Sequence, residues 1–130
     1  MNRNAVGEVM TRRVVYLPDD TMADEAAQAM RDQGIGDVVV THGSTIAGLV
    51  TDRDIVIRVV AEGLRPSATP LSAVATRELI MIEQSATVDE AVLAMRRRRV
   101  RRLLVCDADR SPVGILSLSD VALHPATASA

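Results

Sequence analysis

The chain is written nearly twice. Asp24-Glu25-Ala26 returns as Asp89-Glu90-Ala91, at an offset of 65 (89 − 24). At that offset Val9 meets Val74, Thr11 meets Thr76, Arg12 meets Arg77, Ala29-Met30-Arg31 meets Ala94-Met95-Arg96, and Val40 meets Val105. One residue is then inserted. Gly48-Leu49-Val50-Thr51-Asp52-Arg53-Asp54 aligns with Gly114-Ile115-Leu116-Ser117-Leu118-Ser119-Asp120 at 66 (114 − 48). Such self-similarity decides the architecture before any local preference does, because each copy is one supersecondary unit. Half of a 130-residue chain rarely buries an adequate core alone, so two half-domains packed sheet to sheet as a pseudo-twofold pair are expected.

Each copy reads as β-α-β-β-α. The apolar runs Val14-Val15-Tyr16-Leu17 and Leu79-Ile80-Met81-Ile82 have the length and residue types of strands. Helices follow, with Thr21 three residues before Asp24 and Thr87 three before Glu90, the pattern of a capping box. Met22, Ala26, Ala29 and Met30 form one apolar stripe; Val88, Ala91, Val92 and Met95 form the other. Strand pairs are expected at Asp37–Thr41 with Ile46–Thr51, and at Arg102–Cys106 with Val113–Ser117, joined by turn-forming Gly, Pro, Asp and Ser. Closing helices run Asp52–Glu62 and Leu118–Leu123, the latter stopped by Pro125. A helical lead-in stands near Val6–Met10 and Leu71–Ala75. The organisation is then a first repeat at 6–62, a linker at 63–70, a second repeat at 71–124 and a disordered tail at 125–130.

Composition removes several function classes. No apolar run spans a membrane, and Met1–Met10 lacks an apolar stretch of signal-peptide length, which makes a cytoplasmic location the expectation. Cys106 is the single cysteine and reads as a small buried hydrophobe in a strand. His42 and His124 stand outside any ligand spacing, so no metal is expected. All 15 basic residues are Arg, the net charge is −2, and Tyr16 is the one aromatic, a poor basis for stacking or wrapping nucleic acid. No nucleophile–base pair points to an enzyme.

The polar residues worth attention are in the repeated segment: Gly, two apolar residues, a hydroxyl, two variable residues, Asp. Thr51 and Asp54 fill it once, Ser117 and Asp120 again. A helix beginning at the hydroxyl presents free N–H groups that suit an anion. A carboxylate one turn on can accept both hydrogens of a ribose cis-diol. The same pattern is also a plain helix cap, and duplication alone could propagate one.

With these residues in view, the chain resembles a tandem pair of CBS domains, the module named after cystathionine β-synthase, over nearly its whole length. Gly48 through Ala61 is similar to small stand-alone bacterial CBS-pair proteins, including hypoxic-response ones. Val100-Arg101-Arg102-Leu103 with Gly114–Asp120 resembles a repeat of the AMP-activated kinase regulatory subunit. The resemblance implies an α+β fold of two CBS repeats and a non-catalytic regulatory module that signals ligand state to a partner protein not named by the sequence. It implies a homodimer and an adenosine ligand (AMP, ADP, ATP or an S-adenosyl compound), with no prosthetic group. By the same resemblance Asp54 and Asp120 would hold ribose hydroxyls, and Thr51 and Ser117 would lie near ribose or phosphate. Arg101 and Arg102 would contact phosphate, and Val14, Val15, Tyr16, Leu17, Leu79, Ile80, Met81 and Ile82 would line the base.

Gly36 and Asp37 occupy the first-repeat places of Arg101 and Arg102, so the two sites are expected to differ, the second binding better. The run Arg96–Arg99 suits a helix C-terminus. Alternatives are a CBS-fold dimerisation scaffold without a nucleotide, or nucleic-acid binding through Arg96–Arg102. The apolar faces of Asp52–Glu62 and Leu118–Leu123, with Ile55, Val59 and Val121, are expected to stay partly exposed in one chain and to be covered in a dimer.

Overall fold

A computed structural model describes residues 1–125. Apart from Pro125, the tail expected at 125–130 lies outside the described residues. Two compact units emerge, one comprising Val15–Leu79, the other Met1–Val14 together with the chain from Ile80 onward.

In the first of these, β1 (Tyr16–Pro18), α2 (Ala23–Gln33), β2 (Asp37–His42) and β3 (Thr45–Thr51) follow one another, after α1 (Val6–Val9) in chain order. The sheet runs β1-β2-β3. β1 and β2 are parallel, which requires the crossover that α2 supplies; β2 and β3 form an antiparallel hairpin over Gly43-Ser44. The core gathers Ala23, Ala26 and Met30 of α2, Val38, Val40 and Val50 of the sheet, and Ile55, Val59, Leu71 and Val74. The other unit repeats this with β4 (Met81–Glu83), α4 (Val88–Arg98), β5 (Arg102–Cys106) and β6 (Pro112–Ser117), in sheet order β4-β5-β6. Its core joins Val88, Ala91 and Met95 to Leu103, Val105 and Leu116, and to Val6, Val9 and Met10. Cys106 is buried in β5, its Sγ 3.5 Å from the Ile82 carbonyl oxygen.

The lead-ins are exchanged. α1 packs on the second repeat, where Val6 N–H donates to Ala86 O (2.8 Å) and Val88 N–H to Asn4 O (2.9 Å). The turn Leu71–Ala73 packs on the first repeat, where Leu71 N–H donates to Thr21 O (2.9 Å) and Ala23 N–H to Thr69 O (2.8 Å). Residues 63–70 contribute to the same unit: they hold a 3-10 turn at Pro66–Ala68, and Thr69 is buried with its hydroxyl donating to Arg65 O (2.7 Å).

Three local expectations need correction. Thr87 and Glu90 form the expected capping box, but α2 is capped at Met22 with no side-chain bond. Thr21 lies one residue too early, because the repeat counterpart of Thr87 is Met22. The helix expected at Asp52–Glu62 is α3 (Asp52–Ile55) followed by a π-helical turn, Val56–Val60. Five of the six residues Ile55–Val60 are β-branched, and their crowding against the preceding turn is relieved by the wider spiral. Finally, Ile55 and Val59 are buried in their own core, not left for a partner; Val56, Ile57 and Val60 are the exposed residues of that segment. The closing helix α5 spans Leu118–Leu123 as expected, with Val121 half-buried.

Candidate functional site

Both repeated motifs are complete, reciprocal helix caps. At the end of β3, Thr51 Oγ1 accepts from Asp54 N–H (3.1 Å) while Asp54 Oδ2 accepts from Thr51 N–H (2.8 Å). At the end of β6, Ser117 Oγ accepts from Asp120 N–H (3.1 Å) and Asp120 Oδ2 accepts from Ser117 N–H (3.0 Å). The cap occupies Oδ2 of each carboxylate and leaves Oδ1 to other partners.

What meets Oδ1 differs between the copies. Asp54 Oδ1 faces Arg58 Nε at 3.8 Å, one turn along the same helix, and Arg58 Nη1 donates to Val74 O (3.0 Å). Asp120 Oδ1 accepts from the Thr11 hydroxyl (3.2 Å). Neither Arg58 nor Thr11 was singled out by sequence reasoning. The signals were present: Arg58 stands four residues after Asp54, and Thr11 recurs as Thr76.

The invariant-looking glycine of each motif has a packing cause. The lead-in backbone bridges to the strand, Thr76 to Leu49 and Thr11 to Ile115. A Cβ at Gly48 would lie 2.7 Å from Thr76 O, and one at Gly114 would lie 2.7 Å from Thr11 O. The glycines thus admit the strands that carry Thr76 and Thr11.

Strand register sets the charge around each hydroxyl. Arg102 lies directly across from Ser117, whereas Asp37 lies across from Thr51. Side chains paired across an antiparallel ladder share a face, with Cβ atoms about 5 Å apart. Arg101 is exposed just before β5, and its carbonyl accepts from Leu118 N–H (3.1 Å); Gly36 O accepts from Asp52 N–H (2.9 Å) in the other copy. The first turn of α3 carries Asp52 and Asp54, that of α5 only Asp120. The second motif is therefore the more cationic in its immediate surroundings.

The eight residues expected to line a base divide by strand alternation. Val15 and Leu17 pack against the core of Val15–Leu79, and Ile80 and Ile82 against the other core. Their backbones are engaged too, Val15 O accepting from Val39 N–H (2.8 Å) and Ile80 O from Leu104 N–H (3.0 Å). Tyr16 is exposed and Met81 half-buried, its sulfur 3.7 Å from Arg110 Nη2. Val14 and Leu79, both half-buried, precede the two strands. Among the described residues no three His, Cys, Asp or Glu side chains stand together as metal ligands, and no helix is long and apolar enough to cross a membrane.

Comparison with known proteins agrees with this architecture. The CBS domain family matches residues 6–61 and again 71–126. An uncharacterised protein of Methanopyrus kandleri is 34% identical over 93% of this chain, which spans 62% of that relative's length. Hypoxic response protein 1 of Mycobacterium tuberculosis is 30% identical, with 90% of this chain and 82% of that protein covered. The solved structure of a CBS domain protein from Pyrobaculum aerophilum, complexed with AMP, superposes with a TM-score of 0.78 at 26% identity, covering 93% of this chain and 92% of that one. CBS pairs are regulatory, non-catalytic modules. With two matched repeats, two sheets of one topology and a hydroxyl–carboxylate cap closing each, the chain belongs to the CBS-domain family as a tandem pair.

Proposed function

We propose that this protein is a ligand sensor that binds a phosphorylated adenosine and passes its ligand state to a partner protein. The observation carrying this reading is the register that sets Arg102 opposite Ser117, beside the Asp120 carboxylate. Asp120 Oδ1 would exchange its bond from Thr11 for a ribose hydroxyl, and Ser117 with Arg101 and Arg102 would meet the phosphate. Arg suits that task through its planar fork of donors. At the first motif Thr51 and Asp54 would act likewise, with Arg58 the nearby cation in place of an arginine pair and Asp37 opposing phosphate. Val14, Tyr16, Leu79 and Met81 are the base-lining candidates whose side chains are not assigned to either core. The AMP complex of the Pyrobaculum relative supports an adenine nucleotide as the ligand class.

Titration calorimetry against AMP, ADP, ATP and S-adenosylmethionine tests the reading. Asp120→Ala is expected to weaken the best nucleotide by about 10- to 100-fold, the loss of one hydrogen bond to a charged group. Asp54→Ala is expected to cost less. Neutralising Arg101 and Arg102 together should reduce the preference for nucleotide over nucleoside. Absence of any adenine-nucleotide binding below millimolar concentration sinks the sensing reading.

One observation favours a second reading, a dimerisation scaffold: both carboxylates are already satisfied as caps, and Val56, Ile57, Val60 and Leu64 remain exposed. That apolar group also supports a homodimer under either reading. Sedimentation of a stable monomer at micromolar concentration removes the dimer.

A further inference from the structure

The two repeats differ in side-chain bulk at equivalent places. Beside the lead-in turn of the first repeat lies a cavity of about 300 Å³, which neither Thr51 nor Asp54 lines. Its apolar wall is Val40, Ala47 and Ala75; Ser72, Arg77 and the Asp19–His42 pair complete it. By the repeat, Met10 stands in place of Ala75, Val113 in place of Ala47, Gln84 in place of Asp19 and Gly7 in place of Ser72. Each of the first two substitutions puts a larger apolar side chain where the first repeat has a methyl. Met10 is buried, with its sulfur 2.6 Å from where a Gly114 Cβ would stand, and Gln84 Cβ comes within 3.2 Å of the corresponding point on Gly7. The second repeat thus carries bulkier apolar side chains, Met10 and Val113, at the places equivalent to Ala75 and Ala47 of the cavity wall.

The repeat-equivalent arginines, Arg12 and Arg77, diverge too. Arg12 Nη2 donates to Gly7 O (3.2 Å). Arg77 lines the cavity and, among the described residues, has no hydrogen-bond or ion-pair partner. The one carboxylate in the wall, Asp19, is engaged by His42 Nδ1 at 3.0 Å. A volume near 300 Å³ is at the lower end of small-molecule sites, roughly 300–1,000 Å³.

We propose that this cavity is a second ligand site, specific to the first repeat, for a small organic oxyanion: a short apolar body on Val40, Ala47 and Ala75, and a phosphate or carboxylate head on Arg77 and the Ser72 hydroxyl. It is independent of the nucleotide reading, since it uses none of the capping residues.

The test is amide-shift titration of the full chain with n-butyl phosphate, butyrate and n-butanol. Saturable shifts at Ser72, Ala75 and Arg77 are expected from at least one anion in the millimolar range, and whichever binds tighter identifies the head group. Butanol should bind about tenfold or more weakly, and Arg77→Gln should bring the anion down to the same level. Ala75→Met, and separately Ala47→Val, copy the second repeat and should abolish the shifts while the spectrum stays dispersed. Asp54→Ala should leave them unchanged. Equal binding of butanol, persistence of the shifts in both filled variants, or no saturable shift from either anion overturns the proposal.

Discussion

Arg99 occupies a backbone position that belongs to glycine in the first repeat. Gly34 ends α2 at φ 66°, ψ 38°, and Arg99 ends α4 at φ 55°, ψ 42°. In both, the next residue donates back across the helix end, Ile35 to Met30 O and Val100 to Met95 O, each at 3.0 Å. That closure demands a left-handed residue, which costs a side chain about 1–2 kcal/mol, against about 0.3–1 kcal/mol of charge–dipole attraction gained by a cation there. Arg99→Gly is therefore expected to raise unfolding stability by about 0.5–1 kcal/mol, read from the urea midpoint; an unchanged or lower midpoint contradicts the strain. Gly48→Ala and Gly114→Ala should act oppositely. A methyl placed 2.7 Å from a backbone oxygen forces the lead-in strand away, an overpacking cost of about 1–3 kcal/mol.

At the scale of the element, the turn from α3 into Val56–Val60 sorts one apolar run into two jobs. Ile55 and Val59 fill the core while Val56, Ile57 and Val60 face outward. Ile55→Ala should cost about 2–5 kcal/mol in thermal or chemical unfolding of the chain, as large-to-small core changes do. Val56→Ser and Val60→Ser should each stay within about 0.5 kcal/mol in the monomeric chain. If the serine variants proved as damaging as Ile55→Ala, the assignment of faces would be wrong. The same segment carries Arg58, whose bond to Val74 O ties the helix to the lead-in turn within the same unit.

Across the whole molecule, the exchange of lead-ins makes the first residues of the chain part of the last repeat's core. Val6, Val9 and Met10 are buried among residues of α4, β5 and β6. Full burial of such side chains contributes about 1.5–3 kcal/mol each, so together they rival the stability of a small domain. Deleting residues 1–10 should therefore strip hydrogen-exchange protection from Arg102–Cys106 and Pro112–Ser117 and spare Asp37–His42. Loss confined to the first repeat, next in sequence to the deletion, would refute the exchange.

What the sequence determined by itself is local or periodic. The repeat showed in identities at an offset of 65, then 66 after one inserted residue; β5 and α5 were legible to the residue because a short apolar run, turn residues and a proline stop act over a few positions. The hydroxyl–carboxylate pairs were legible because a cap closes between a residue and its third successor. Tertiary structure decided what depends on residues far apart in the chain. Which lead-in completes which core had no sequence signal, since Val6 and Leu71, or Val9 and Val74, are interchangeable in type. The glycines of both motifs read as part of a ligand pattern until the lead-in carbonyls were seen against them. Thr11 beside Asp120, Arg102 across from Ser117 and the cavity beside Ala75 all arise from register and packing, where distance along the chain no longer predicts distance in space.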